Sequence, residues 1–134
     1  MLGGVLTGFA RSTRRLRQIF RSYLVEASIL NVALELAMAF GKDWLAPVQP
    51  RLRSRYPSLS FDELDAYDAA CRRVLALSRQ QAPACWRKAG ARQSDALKYF
   101  GEAVRVSFPW VNRDNLAHLF SQGCYYAWKN GDLP

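Results

Sequence analysis

The segment from Phe9 to Phe40 is the strongest constraint on the fold of this chain. It contains no glycine or proline, and its apolar side chains recur at alternating steps of four and three residues. This spacing places them along one side of an α-helix. The sequence therefore predicts one long helix over about 9–40, with an apolar stripe formed by Leu16, Phe20, Tyr23, Ala27, Leu30, Leu34 and Ala37.

Local signals define the elements on either side of this helix. Three glycines lie among residues 1–8, which are therefore expected to be flexible. Two prolines favour the first turn of a short helix at about 47–55. Ser60 and Glu63 have the spacing of a capping box, in which side chain and backbone hydrogen-bond reciprocally. This pair predicts a helix from residue 61 to about Ser78.

Further cap residues mark the second half of the chain. A proline suits the first turn of a helix, and serine and asparagine suit the N-cap position. These signals predict a short piece from Pro83 to Lys88, a helix over 95–107 capped by Ser94, and a helix over 113–130 capped by Asn112. On the first of these two longer helices Leu97 is expected to face inward, and on the second Gln122 is expected to face outward.

These elements together predict an all-α fold. No segment longer than four residues shows the alternation expected of a strand. The chain has 134 residues, which fits one domain. We therefore expect a single-domain helical bundle over 1–134, with about four main helices and one or two short ones.

Positive charge is concentrated in three stretches of the chain. The net charge is +8, and it arises from 15 arginines and 4 lysines against 11 acidic residues. Arginine favours bidentate contact with phosphates and carboxylates and stacks on rings, and Trp86 could add a stacking group for a nucleic acid. The predicted anion-binding residues are Arg11, Arg14, Arg15, Arg17, Arg21, Arg51, Arg53, Arg55, Arg87 and Lys88.

The C-terminal 42 residues have a different character. Their four basic and four acidic residues balance, and they hold eight of the 17 aromatic residues. Consecutive residues of a helix lie 100° apart, so Tyr125, Tyr126 and Trp128 cannot all face inward. Aromatic side chains that remain at a surface are typical anchors for protein partners. We therefore predict a partner-binding surface formed by Trp110, Tyr125, Tyr126 and Trp128.

Candidate catalytic residues are few. The only histidine, His118, lies six residues before Cys124, which puts the two on different sides of one helix. The cysteines Cys71, Cys85 and Cys124 include no close pair of the kind that nucleates a metal site. Glu35, an acid in an apolar stretch, is a candidate for a buried carboxylate. The sequence thus predicts no catalytic residue, no metal and no cofactor.

These observations lead to three hypotheses for function. The first is a small, non-enzymatic interaction protein that binds a protein partner or itself through its aromatic C-terminal helix. The second is a helical nucleic-acid-binding protein that uses the basic stretches. The third is a peripheral membrane protein, in which the basic amphipathic N-terminal helix lies on an anionic membrane surface. The expected location is cytoplasmic, and an Arg- and Ser-bearing N-terminus suggests organelle targeting as an alternative.

Overall fold

Five helices account for most of the described chain, which comprises residues 26–39 and 46–134 of a computed structural model. Those ranges contain no strand. The prediction of an all-α, single-domain bundle is therefore confirmed. In chain order the helices are α1 (Ala27–Ala37), α2 (Val48–Arg55), α3 (Phe61–Ala89), α4 (Gln93–Ser107) and α5 (Arg113–Lys129).

Helix α1 is shorter than the helix predicted over 9–40. It begins at Ala27 because the backbone of Glu26, with φ −107° and ψ 34°, leaves helical geometry. Its apolar side is buried as expected, and Leu30 and Leu34 are completely covered. The preceding basic part of the predicted helix, and the expected flexibility of residues 1–8, lie outside the described residues.

Helix α3 is one continuous helix where the sequence predicts two. Its start is as expected, since Ser60 Oγ accepts from the N–H of Glu63, and the Glu63 carboxylate accepts from the N–H of Ser60. It ends at Gly90, whose φ of +56° favours glycine. The predicted end near Ser78 and the predicted new start at Pro83 are wrong, because Pro83 lies inside the helix.

Tertiary packing holds α3 together across Pro83. A proline inside a helix removes one backbone hydrogen bond and costs about 3 kcal/mol. On either side of it, Ser78, Ala82 and Cys85 are buried against the rest of the bundle. Burial of this part of α3 offsets the local cost of the proline, and the local signal alone therefore misplaces the helix boundary.

Helices α3 and α5 approach each other closely at Gly123. A Cβ atom added there would lie 2.6 Å from the Cβ of Ala82 and 3.1 Å from the carbonyl oxygen of Ser78. Small side chains on both helices therefore set their separation. Next to this contact, the buried Phe100 of α4 packs its ring 5.3 Å from that of Phe120.

The helices α4 and α5 begin in different ways. Asn112 caps α5 as predicted, because its Oδ1 accepts from the N–H of Asn115 at 2.8 Å. Ser94 does not cap α4, which already begins at Gln93. The N–H of Asp95 donates to the carbonyl oxygen of Arg92, so Ser94 lies within the first turn of the helix and not at its cap.

The side chains of Leu97 and Gln122 face the opposite way from that predicted. Leu97 is 40% exposed rather than inward. Gln122 is buried rather than outward, and its Nε2 donates to the carbonyl oxygen of Met38 at 3.2 Å. Gln122 thereby satisfies a carbonyl at the C-terminal end of α1, a role that depends on tertiary packing and cannot be read from the periodicity of α5.

The amide of Asn31 joins α1 to the start of α5. Its Nδ2 donates to the carbonyl oxygens of Ala27 and Trp110, both at 2.9 Å. Its Oδ1 accepts from the N–H of Asn112 and from the Nδ2 of Asn115, both at 3.0 Å. These four bonds use both donors and both acceptor positions of the side chain. We refer to this arrangement as the Asn31 clamp.

Replacing Gly101 and Gly123 by alanine should have opposite effects on stability. Gly101→Ala should stabilise the protein by about 0.5–1 kcal/mol, because a helical glycine costs about that much and the new Cβ meets Leu116 at an ordinary 3.7 Å. Gly123→Ala should destabilise it by about 1–3 kcal/mol, because the added methyl overpacks the contact with Ala82. Urea unfolding measures both changes, and effects of the same sign would contradict this account of the α3–α5 contact.

Asn31→Ala should lower the free energy of unfolding by about 2–3 kcal/mol, because it leaves the buried Asn115 amide without one of its acceptors. The same denaturation experiment tests this. Asn130→Ala is a suitable control, since the Asn130 side chain is exposed and forms no hydrogen bond with the described residues. Its effect should stay within about 0.5 kcal/mol. Equal losses in the two variants would show that the clamp does not stabilise the fold.

Candidate functional site

The structure does not bring the described members of the predicted anion-binding set together. The five arginines from Arg11 to Arg21 lie outside the described residues. The α2 arginines lie near the start of α3, where Arg53 contacts Phe61. Arg87 and Lys88 lie in the last turn of the same 29-residue helix, which puts them about 40 Å away. The described members of the set therefore do not form one compact anion site.

Arg51, one of the predicted anion-binding residues, donates two hydrogen bonds within the protein. Its Nη1 donates to the carbonyl oxygen of Leu36 at 2.9 Å, and its Nη2 donates to that of Ala46 at 3.1 Å. The first of these carbonyls belongs to the last turn of α1, which has no basic residue of its own. Arg51 thus compensates the negative end of that helix dipole from a neighbouring helix.

Arg55 is exposed at the end of α2, whereas the three other described basic residues of the set make intramolecular contacts. Their partners are rings or a backbone carbonyl rather than carboxylates. The Arg53 guanidinium lies 4.7 Å from the ring centre of Phe61, Lys88 Nζ lies 4.4 Å from that of Tyr99, and Arg87 Nη2 donates to the carbonyl oxygen of Asp132 at 2.6 Å.

Three of the four predicted partner-binding aromatics form one cluster at the C-terminal end of α5. The rings of Tyr125 and Tyr126 are 5.6 Å apart, edge to face, and those of Tyr125 and Trp128 are 6.2 Å apart. Trp128 is 59% exposed and Tyr125 is 46% exposed. Trp110 does not belong to this cluster. It packs against the core beside Phe108, at the α4–α5 connection.

Arg79 extends this cluster onto α3. Its guanidinium lies 5.1 Å from the ring centre of Tyr126, a typical cation–π distance. We call the group of Arg79, Tyr125, Tyr126 and Trp128 the aromatic surface. The sequence does not identify Arg79 as part of this site, because its pairing with Tyr126 joins residues 47 positions apart. Arg79 is exposed on α3 and follows Arg72 by seven residues, which places the two on the same side of the helix. This spacing does not show which side chain Arg79 contacts.

Glu35 is exposed on α1, so the prediction of a buried acid at this position is wrong. Periodicity explains the difference. The buried residues of α1 are Ile29, Leu30, Ala33 and Leu34, which cover one side of the helix, and at 100° per residue Glu35 lies on the opposite side. In the described residues no group of three or more histidine, cysteine or acidic side chains is arranged to hold a metal ion.

The surroundings of all three cysteines raise the pKa of the thiol and so favour its protonated form. Burial, with a smaller contribution from the Asp68 carboxylate, raises the pKa of Cys71 from 9.0 to about 12. Burial also raises the pKa of Cys85, against the opposing effect of Lys88, and that of Cys124. A nucleophilic cysteine requires a lowered pKa. The environment of each thiol therefore counts against nucleophilic catalysis.

Cys71 should be alkylated extremely slowly by iodoacetamide in the folded protein. A pKa of about 12 in place of 9.0 reduces the thiolate fraction at pH 8 about a thousandfold. In a variant with Cys85→Ser and Cys124→Ser, the rate should continue to rise with pH above 9 instead of levelling off there. Mass spectrometry follows the modification, with the urea-unfolded variant as control. A plateau near pH 9 in the folded variant would contradict the burial of this thiol.

The described helices include none that is both long and apolar enough to cross a membrane. A comparison with protein-family models gives no match, and no curated protein or solved structure is significantly similar to this chain. Functional inference therefore depends on the chemistry and geometry of the side chains described above.

Proposed function

We propose that the protein is a small, non-enzymatic interaction protein that binds a partner protein through the aromatic surface. The observation that supports this proposal is the exposure of Tyr125 and Trp128 in direct ring contact with each other. Tryptophan, tyrosine and arginine are the residue types that dominate binding energy at protein interfaces. The aromatic surface contains all three types.

Contacts within the aromatic surface favour binding by limiting its entropic cost. Each ordered side chain normally costs about 0.5–1.5 kcal/mol on association. Here Tyr126 is held by Arg79, Tyr125 packs on Tyr126, and Trp128 packs on Tyr125. The rings are therefore restrained before a partner arrives.

The charge near the aromatic surface favours an acidic partner. Arg79 retains its charge over the ring of Tyr126, and the exposed Lys129 lies next to Trp128 in the chain. Complementary charge chiefly accelerates encounter and selects among partners, while the apolar rings contribute most of the affinity. We therefore expect an acidic protein surface with apolar side chains at its centre.

A nucleic acid is the second candidate, favoured by the arginines on the exposed side of α3. Arg72 projects from this side in line with Arg79, which belongs to the aromatic surface, and the rings of that surface could stack on bases. However, Arg72 is paired with Asp68 at 2.8 Å, and Arg79 is engaged by Tyr126. Phosphate binding would have to compete with both contacts, so a protein partner is the better-supported proposal.

Serine substitutions at Tyr125 and Trp128 test the proposed function. The double variant should capture at least about tenfold less of its specific partner in quantitative affinity purification. Truncation of an aromatic anchor commonly costs about 2 kcal/mol or more of binding free energy, which corresponds to about a 30-fold loss of affinity. Each single change should alter stability by about 0.5 kcal/mol or less. Analytical ultracentrifugation of the same proteins tests the case in which the partner is a second copy of the chain.

Val106→Ser is the matched control, since Val106 is 85% exposed and lies on α4, away from the aromatic surface. Partners retained equally by the aromatic double variant and by wild type would reject the proposal. Binding of single-stranded DNA that weakens steeply with salt and is lost in Arg79→Ala would favour the nucleic-acid alternative instead.

A further inference from the structure

An open groove of about 670 Å³ between α4 and α5 is the second surface of interest. Aliphatic groups form its floor: Leu97 and Gly101 on α4, and Leu116 on α5. Its length along α4, from Ser94 to Arg105, corresponds to about 16 Å, or three helical turns. It therefore has the dimensions to receive a short helix.

Gly101 keeps this groove open. It lies in the middle of α4, where glycine costs about 1 kcal/mol relative to alanine. Unlike Gly123, it is not required by a close helix contact, since an added Cβ would meet only Leu116, at 3.7 Å. Leu97, one turn earlier, stands at the groove with 40% of its surface exposed. The absence of a side chain at position 101 leaves the apolar floor accessible.

The groove is flanked by more positive than negative charge. Lys98, Arg105 and Arg113 line it together with one acid, Glu102. Neither Lys98 nor Arg113 has an ion-pair or hydrogen-bond partner among the described residues. Arg105 makes only long contacts to the carbonyl oxygen of Val111, at 3.4 and 3.5 Å. These cations are therefore available to a ligand.

We propose that this groove binds an acidic amphipathic helix of a partner protein. An apolar groove between two helices accepts the apolar side of a third helix, which anchors side chains at positions i, i+3 or i+4, and i+7. Glutamates or aspartates beside those anchors would meet Lys98, Arg105 and Arg113. One basic residue on the same helix would meet Glu102.

The chemistry of the floor favours a peptide helix over a nucleic acid. Single strands bind by stacking their bases on aromatic rings, and the described residues that line this groove include no aromatic one. Glu102 would also repel phosphates. In contrast, aliphatic contacts on Leu97 and Leu116 suit leucine or isoleucine side chains of a helix.

This proposal does not depend on the function proposed for the aromatic surface. Arg113, at the groove, and Trp128 lie at opposite ends of the 17-residue helix α5, about 22 Å apart along its axis. If both surfaces bind, the protein holds two partners, or two parts of one partner, at the same time.

A defined peptide probe tests the groove directly. The probe is a fluorescently labelled synthetic helix about four turns long, with leucines on one side and glutamates on the other. Fluorescence anisotropy measures its binding to the full chain. Lys98→Glu with Arg113→Glu should weaken binding at least about tenfold through charge repulsion. Gly101→Met, which fills the floor, should weaken it by a similar factor.

Three controls separate the groove from general effects. Arg55→Glu with Arg73→Glu makes the same change in net charge at exposed positions on α2 and α3 and should leave binding within about twofold. A peptide of the same composition in an order that is not amphipathic should bind at least about tenfold more weakly. Tyr125→Ser with Trp128→Ser should not affect the probe, so failure here is distinct from failure of the aromatic surface.

The outcomes are decisive in either direction. Selective loss in the two groove variants, with folding verified by circular dichroism, supports the proposal. No binding of the probe to wild type up to about 1 mM, or an equal loss in the control charge variant, overturns it. Displacement of the probe by single-stranded DNA at lower concentrations than by unlabelled peptide also overturns it, in favour of a nucleic acid. If Gly101→Met fails to fold, the Lys98 and Arg113 variant decides.

Discussion

The amide of Asn31 fixes how the first described helix meets the last one. Apolar packing between helices tolerates small rotations and shifts, because dispersion and burial have little directionality. Hydrogen bonds do not tolerate them, and Asn31 makes four, two donated and two accepted. Their partners include the carbonyl of Trp110 and the cap residue of α5, so the start of α5 is held at a defined position relative to α1.

From that fixed start, α5 lies along α3 to its aromatic end. The contact between Gly123 and Ala82 sets the distance between the two helices, and the contact between Arg79 and Tyr126 lies about one turn further on. Continuity of α3 through Pro83 matters for the same reason. A break there would separate Arg79 from the last turn, where Arg87 binds the carbonyl of Asp132 after the end of α5. Both proposed binding surfaces include residues of α5, so the position of each depends on how α5 packs against α3.

Features encoded within a few residues were predictable from the sequence. The capping box of Ser60 and Glu63 and the cap at Asn112 each depend on neighbours in the chain. The clustering of Tyr125, Tyr126 and Trp128 was predictable in part, since helical geometry alone prevents all three from facing inward.

Several of the errors have a tertiary cause. Pro83 inside α3 and the buried Gln122 each depend on a helix that is distant in the sequence. The pairing of Arg79 with Tyr126 has the same origin. The groove beside Gly101 was missed because a single glycine in a helical pattern does not reveal whether it permits close packing, as Gly123 does, or leaves a space.

The intramolecular partners of the basic residues have an electrostatic consequence. A carboxylate would neutralise a guanidinium, whereas a ring or a carbonyl oxygen holds it in position and leaves its full charge in place. Arg53, Arg79, Arg87 and Lys88 are all held in this second way. The result is a set of positive charges with defined positions, whose field extends about 8 Å into solvent at physiological ionic strength. Such a field orients an approaching acidic molecule before any contact forms, at the stage of diffusion rather than of binding.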